Sequence, residues 1–494
     1  MSAPRALLAA ALFCPIFAGA AAPTEKIPPE KITVTAIYVE GLPENMPIPK
    51  DIIPPAPLLY NADAIKRTLY ALSRYFSENG YPYNKITTSI IHSDSSKTLI
   101  IRFNVDLDER VRNAPPLVLG VEKRVEMYHR DVRLFPDSLF SSADVDETLR
   151  RLSMRPYVRE VSAASPVIVE DAPKSGDSLR AAVVPFTVAE RRGMEVEGAL
   201  GYESGSGSLS GRLDLSFMNL LRRGESAGVS YAGTDVYQRF RFSASQMWVF
   251  GLPLEAGGGG GLEIEDGGYA YFSGEFWAAA EINARWKFGA ALNAAETVPP
   301  DSAGDMYRFY GADVFISLIQ AQWERGRTVR ELSARAGSGV ANREKSYTRG
   351  KMELAAGVHY PIFNEYAIAG RVCANSLFTE EEYLLPAEQY RIGGHGSLRG
   401  YSEEEFALRS ALFSQMEALY YFNKAGAVFI FIDGGAGFDS SARLKMSGAK
   451  WMLGYGAGIR FPSRVGSVSL EWARNKGDGW SLGRVHLGVR AGGK

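Results

Sequence analysis

The stretch Arg391-Ile392-Gly393-Gly394-His395-Gly396-Ser397-Leu398-Arg399-Gly400-Tyr401 places four glycines around one arginine, Arg399. The glycines permit a tight backbone path closed to other residues, and Arg399 stays charged wherever that path takes it. As a bare pattern it also fits a surface turn with Arg399 in water. Its surroundings decide the reading. The segments on either side alternate apolar and polar residues, and two carboxylates downstream, Glu417 and Asp433, stand where strands can aim them at the guanidinium.

The alternation begins after Arg191-Arg192, beyond which no helical periodicity appears. Leu213, Leu215 and Phe217 oppose Arg212, Asp214 and Ser216. Phe240 and Phe242 oppose Arg239, Arg241 and Ser243, and near the end Val485, Leu487 and Val489 oppose Arg484, His486 and Arg490. There are too many such strands for one small soluble core. An apolar face turned to lipid around a polar lumen fits them better. At ~9–11 residues per tilted strand, residues 193–494 hold about 14 to 18 strands. No stretch of ~18 apolar residues follows the N-terminus, so any membrane crossing falls to strands closed into a barrel.

An arginine inside such a lumen requires carboxylate partners. Glu417 lies in the strand-like Ala411 to Phe422, and Asp433 in Phe429-Ile430-Phe431-Ile432-Asp433-Gly434-Gly435. Adjacent strands can present both acids on the inner wall, where bidentate contact would pin the loop. Asp433 shares its face with Phe429 and Phe431, so that face is not purely polar.

Towards the N-terminus the texture changes. Met1 to Ala22 has one cation, Arg5, an apolar run and then Ala18-Gly19-Ala20, the pattern of a cleaved secretory signal. Residues 1–20 are expected to be that signal and 21–30 a linker. Ile32 to Val39 reads as a strand. A helix opens near Asn61 with Ile65, Leu69, Leu72 and Phe76 on one stripe, and strands Ile86 to Ile91 and Thr98 to Leu107 follow. The order recurs more loosely. Leu117 to Tyr128 is strand-like, Ser142 is a cap for a helix carrying Val145, Leu149 and Leu152, and Val158 to Glu170 and Leu179 to Val188 are further strands. Two similar α+β modules, 31–110 and 111–192, therefore precede the strand-rich region.

Several chemistries are excluded or disfavoured. The 494-residue chain has a formal net charge of −1, unlike a strongly basic nucleic-acid binder. Of its two cysteines, Cys14 lies in the expected signal, which leaves Cys373 without an internal disulfide partner. The five histidines form no HExxH pair, and the Gly224 to Gly228 spelling of G-x-S-x-G lacks the helix that a nucleophile elbow needs. The Gly257 to Gly261 run lacks the Lys-Ser/Thr of a phosphate cradle. His395 has no nearby nucleophile, so the expectation is no enzyme and no cofactor.

At Ser397 to Tyr401 the chain resembles the BamA/TamA superfamily of outer-membrane insertases and translocases, which carries an Arg-Gly-aromatic motif on a loop folded into the lumen. Glu417 and Asp433-Gly434-Gly435 match the acids of the two strands that follow that loop. Tyr75 to Pro82 and Val145 to Val161 resemble polypeptide-transport-associated (POTRA) domains, and Asn219-Leu220-Leu221 with Gly224 resembles the early barrel turn. Leu398 departs from the usual β-branched residue, and Ala491-Gly492-Gly493-Lys494 from an aromatic end.

The resemblance implies two POTRA-like domains ahead of a transmembrane barrel of about 16 antiparallel strands, set in a bacterial outer membrane with the modules in the periplasm. It further implies a loop latch of Gly393, Gly394, Arg399, Gly400, Tyr401, Glu417 and Asp433. A client seam would run between the first strand, at Leu200 and Tyr202, and the last, at Val485, Leu487 and Gly488, where glycine weakens pairing. The partners implied are unfolded outer-membrane or secreted polypeptides and lipid, with an accessory lipoprotein or an inner-membrane protein possible, and no nucleic acid. An assembly factor is the expected function. The chief rival is a two-partner-secretion transporter, although Ala21 to Glu30 is short for its usual plug helix and linker. A passive pore or receptor is the other alternative.

Overall fold

The computed structural model describes residues 32–43, 46–92, 98–121, 125–155, 157–169, 179–190, 193–203, 209–283, 285–300, 306–318, 329–363, 365–423, 426–439, 448–463, 466–477 and 483–492. The expected signal and linker, the Ser93 to Ser96 turn and the last two residues lie outside these. The chain divides into two units, Met1–Ser77 with Tyr83–Glu109, and Glu78–Pro82 with Arg110–Lys494.

In the first unit strand Thr33–Glu40 is followed by the short strand Leu58–Leu59, helix Ala62–Glu78, and strands Lys85–His92 and Thr98–Asp106. Asn61 caps the helix, its Oδ1 accepting from the Asp63 and Ala64 amides at 2.9 and 3.2 Å. Leu72 and Phe76 are fully buried, while Ile65 and Leu69 flank them half-buried. Thr33–Glu40 pairs parallel with Thr98–Asp106, which pairs antiparallel with Lys85–His92, so Lys85–His92 forms one edge of the four-stranded sheet.

In the second unit the module around helix Ser142–Ser153 has a broken sheet. Strand Pro185–Glu190 pairs with Leu117–Leu119 and Val158–Ala163, and Arg180–Val183 pairs with Val111–Asn113 and Val167–Val169. All three parts break at proline: Pro115-Pro116, Pro166 and Pro185. Proline has no amide hydrogen to give the ladder. The expected strand over Leu117 to Tyr128 is accordingly only three residues long, followed by the short helix Glu126–His129. The cap expectation shifts as well: Ser142 is the first helical residue and Ser141 the N-cap, without a side-chain cap bond.

Sixteen antiparallel strands then close into a barrel. They are β1 Met194–Glu203, β2 Leu209–Met218, β3 Glu225–Gly233, β4 Tyr237–Gln246, β5 Leu254–Glu265, β6 Tyr269–Glu281, β7 Trp286–Val298, β8 Tyr307–Leu318, β9 Val329–Asn342, β10 Ser346–Pro361, β11 Tyr366–Thr379, β12 Ser410–Tyr421, β13 Ala427–Phe438, β14 Lys450–Pro462, β15 Ser467–Asn475 and β16 Arg484–Gly492. The glycine run lies within β5, and Gly224 to Gly228 opens the β2–β3 hairpin. The outer wall is apolar: Val428, Ile430 and Ile432 of β13 are exposed while Phe429, Phe431 and Asp433 turn inward and are buried.

The wall is uneven in height. β1 to β4, β15 and β16 have 9 or 10 residues each, whereas β9, β10 and β11 on the far side have 14, 16 and 14.

Candidate functional site: the lumen loop and the seam

The site is built on the connection between β11 and β12. The second module leads directly into β1, and this connection leaves the barrel at the opposite end. It starts with a three-pair hairpin stem, Tyr390–Ile392 against Phe406–Leu408. The stem is inward because its side chains are apolar on one face. Ile392, Leu398, Phe406 and Leu408 pack with Ala411, Phe413, Cys373 and Met452 in one buried cluster. Leu398, fully buried there, seats the residue before Arg399 in an apolar socket.

Arg399 is 3% exposed and Asp433 is fully buried. Asp433 accepts three bonds from it: backbone N to Oδ2 at 3.0 Å, Nε to Oδ2 at 2.7 Å and Nη2 to Oδ1 at 2.8 Å. Glu417 Oε1 takes Nη1 at 2.5 Å, and the Phe431 ring centre lies 3.7 Å from the guanidinium carbon. Burial opposes the positive charge, but Asp433 and Glu417 outweigh it and hold the Arg399 pKa above its ordinary value. The inward phenylalanine thus has a polar purpose, as a π face for the cation.

The remaining loop residues set this geometry. Gly393 and Gly394 turn with φ of 130° and 84°, and the Gly394 amide donates to the Leu398 carbonyl at 3.0 Å. The Tyr401 hydroxyl accepts from the Leu453 amide at 3.0 Å, and its ring meets Phe406 edge-on. Gly400 has φ 93°, and a Cβ there would sit 2.6 Å from the Arg474 carbonyl oxygen. Its own carbonyl accepts from Asn475 Nδ2 at 3.0 Å and Arg484 Nη1 at 2.5 Å. His395 Nδ1 faces Glu471 Oε2 at 3.4 Å, and the rings of His395 and His486 are 6.3 Å apart. Glu471, Asn475, Arg484 and His486 are loop partners that sequence reasoning did not single out. Arg484 and His486 were visible only as polar residues on an alternating strand.

The seam residues fall on the β1–β16 pairing. Leu200 stands opposite Leu487, Tyr202 opposite Val485, and Ala199 opposite Gly488. Leu200, Tyr202, Val485 and Leu487 form an exposed outer row, and Gly488 lies buried on the inner side. Nine residue pairs join β1 and β16, as many as join β1 and β2, so the seam is closed and in register.

A second buried cluster lies where the module meets the barrel. Arg155 donates Nε to Asp131 Oδ2 at 2.8 Å and Nη2 to Glu281 Oε2 at 3.0 Å, with the Trp248 ring 5.4 Å away. Nothing in the sequence pattern marked it.

The sequence matches no protein-family model and no curated protein. Its structure does resemble solved ones. BamA from Haemophilus ducreyi lacking POTRA domains 1–3 superposes with a TM-score of 0.55 at 12% identity, over 94% of this chain and 100% of that one. CdiB from Acinetobacter baumannii gives 0.55 at 10%, over 93% and 90%, and CdiB from Escherichia coli 0.55 at 13%, over 95% and 92%. Two α+β modules ahead of a closed 16-stranded barrel are thus the fold that this chain shares with BamA and CdiB.

Proposed function

We propose that this protein is an outer-membrane assembly factor that binds unfolded polypeptides through its modules and inserts or translocates them at the β1–β16 seam, without enzymatic chemistry or a cofactor. The observation that carries this reading is the uneven wall. Nine strand residues at about 3.3 Å each and a tilt near 40° rise ~23 Å, the short end of a membrane-crossing strand, against ~40 Å for the 16 residues of β10. Lipid matched to this wall is thinnest beside the seam, which lowers the barrier for a client strand entering there. The sheet edges Lys85–His92 and Val158–Ala163 can lend main-chain hydrogen bonds to a client whatever its sequence.

The rival is a two-partner-secretion transporter that passes one dedicated protein, and the CdiB neighbours favour it as much as BamA favours assembly. Against free passage, the loop stem enters the lumen, and Asp313 joins Lys351 at 2.7 Å and Arg335 at 2.6 Å across neighbouring strands. Proteomics of outer membrane and medium after depletion separates the two. Loss of several unrelated barrels supports assembly, loss of one secreted protein with barrels intact supports the transporter, and loss of neither supports a passive pore or receptor. Within the assembly reading, Arg399→Ala should leave the barrel folded and lower client insertion, with Arg399→Asp plus Asp433→Arg restoring part of it.

A further inference from the structure

The loop has a second anchor on the far side of the seam from its tip. Glu404 is a buried non-glycine residue held at φ 56°. Left-handed backbone of this kind is strained and persists only where the surroundings enforce it. Here the enforcing contacts come from β4: Tyr237 donates its hydroxyl to Glu404 Oε2 at 2.9 Å, and Arg239 pairs with the same carboxylate. One step along the stem, Arg391 donates to Glu265 Oε2 of β5 at 2.7 Å and to the Tyr269 hydroxyl of β6 at 2.5 Å. Its guanidinium carbon lies 4.1 Å from the centre of the Tyr237 ring. Tyr237 is only 4% exposed, so this end is as enclosed as the tip.

The tip grips β12 and β13 through Arg399, and β15 and β16 through His395 and Gly400, whereas Glu404 and Arg391 grip β4 to β6. Between β16 and β4 lie only β1, β2 and β3, and the seam is the β1–β16 boundary. We infer that the loop is a brace spanning the inside of the seam, and that Glu404, held by Tyr237 and Arg239, is the positioning residue at its second end. The inference rests on the reading that this seam opens for a client.

A brace fixed at two ends works in series. Freeing either end releases the whole, so substitutions at the two ends should not add, whereas two independent supports would give additive effects.

The test uses the full chain in liposomes, in a Cys373→Ser background carrying Leu200→Cys and Leu487→Cys, which stand directly opposite across the seam. Brief oxidation reads the closed fraction as cross-linked protein. A severalfold loss of cross-link is expected in Glu404→Gln, a similar loss in Arg399→Ala, and no further loss in the double variant. A wild-type fraction in Glu404→Gln, or a double variant showing the product of the single effects, overturns the brace. If heat-modified gel mobility shows Glu404→Gln unfolded, Tyr237→Phe with Arg239→Gln answers the same question. Client insertion is scored separately. Cross-link loss with no client at the seam would overturn the assembly reading and leave the brace standing, and an unchanged cross-link overturns the brace whatever the client assay gives.

Discussion

Phe431 and Asp433 stand two residues apart on the inner face of β13 and hold Arg399 in two ways, the ring beneath the guanidinium at 3.7 Å and the carboxylate at its edge at 2.7 Å. The ring contributes a cation–π contact of about 1–2 kcal/mol, while removing the acid strands a buried charge at about 3–5 kcal/mol. Phe431→Leu should therefore lower the urea midpoint of the folded barrel measurably, and Asp433→Asn considerably more. Equal losses would show that the ring and the acid do not act as separate supports.

Gly400→Ala tests the backbone of the latch without touching a charge. The added methyl meets the Arg474 carbonyl oxygen at 2.6 Å in a left-handed position, for a cost of about 1–3 kcal/mol. Client insertion should fall as in Arg399→Ala although every ion pair keeps its residues. Insertion at the wild-type rate would show that the Gly400 backbone does not set the position of the loop.

His395 gives the loop a pH dependence. Burial alone would push its imidazole down, but Glu471 outweighs that and raises the pKa above its ordinary value. Arg399 opposes the proton, Glu403 favours it, and His486 stands nearby. With the folded pKa raised, the pairing contributes fully below the ordinary value of about 6.5 and is lost as pH climbs through the raised value. The urea midpoint should thus fall more steeply above about pH 6.5 in the wild type than in His395→Gln. Superimposable profiles would remove His395 from the account.

Arg155→Ala removes the cation from a buried group of acids, Asp131 and Glu281, at about 3–5 kcal/mol. Proteolysis between the second module and β1 should become faster while the barrel keeps its heat-modified mobility. Unchanged cleavage would mean that this cluster does not set how firmly the module is held.

The barrel was legible because lipid on one side and polar residues on the other impose a period of two on every strand, from Leu213 to Val489. Arg399, Glu417 and Asp433 were legible for a related reason, since a charge that cannot be shed needs partners and only a few acids lay on neighbouring strands. The second module was less so. Pro166 and Pro185 lie inside stretches that read as single strands, Val158 to Glu170 and Leu179 to Val188, and pairing shows that each is a break. Glu404 and Arg155 were hidden because Tyr237 and Arg239 reach Glu404 through barrel closure, Glu281 reaches Arg155 through module docking and Asp131 through the fold of the module itself, distances in sequence that no local pattern encodes.

The full register of β1 against β16 also bears on energetics. On the assembly reading proposed above, a client strand taking the place of β16 beside β1 would form the same main-chain hydrogen bonds that were broken, so the step would be an exchange of near-equal partners with a net cost in hydrogen bonding close to zero. What would remain is a barrier of activation, and such an exchange would need no fuel.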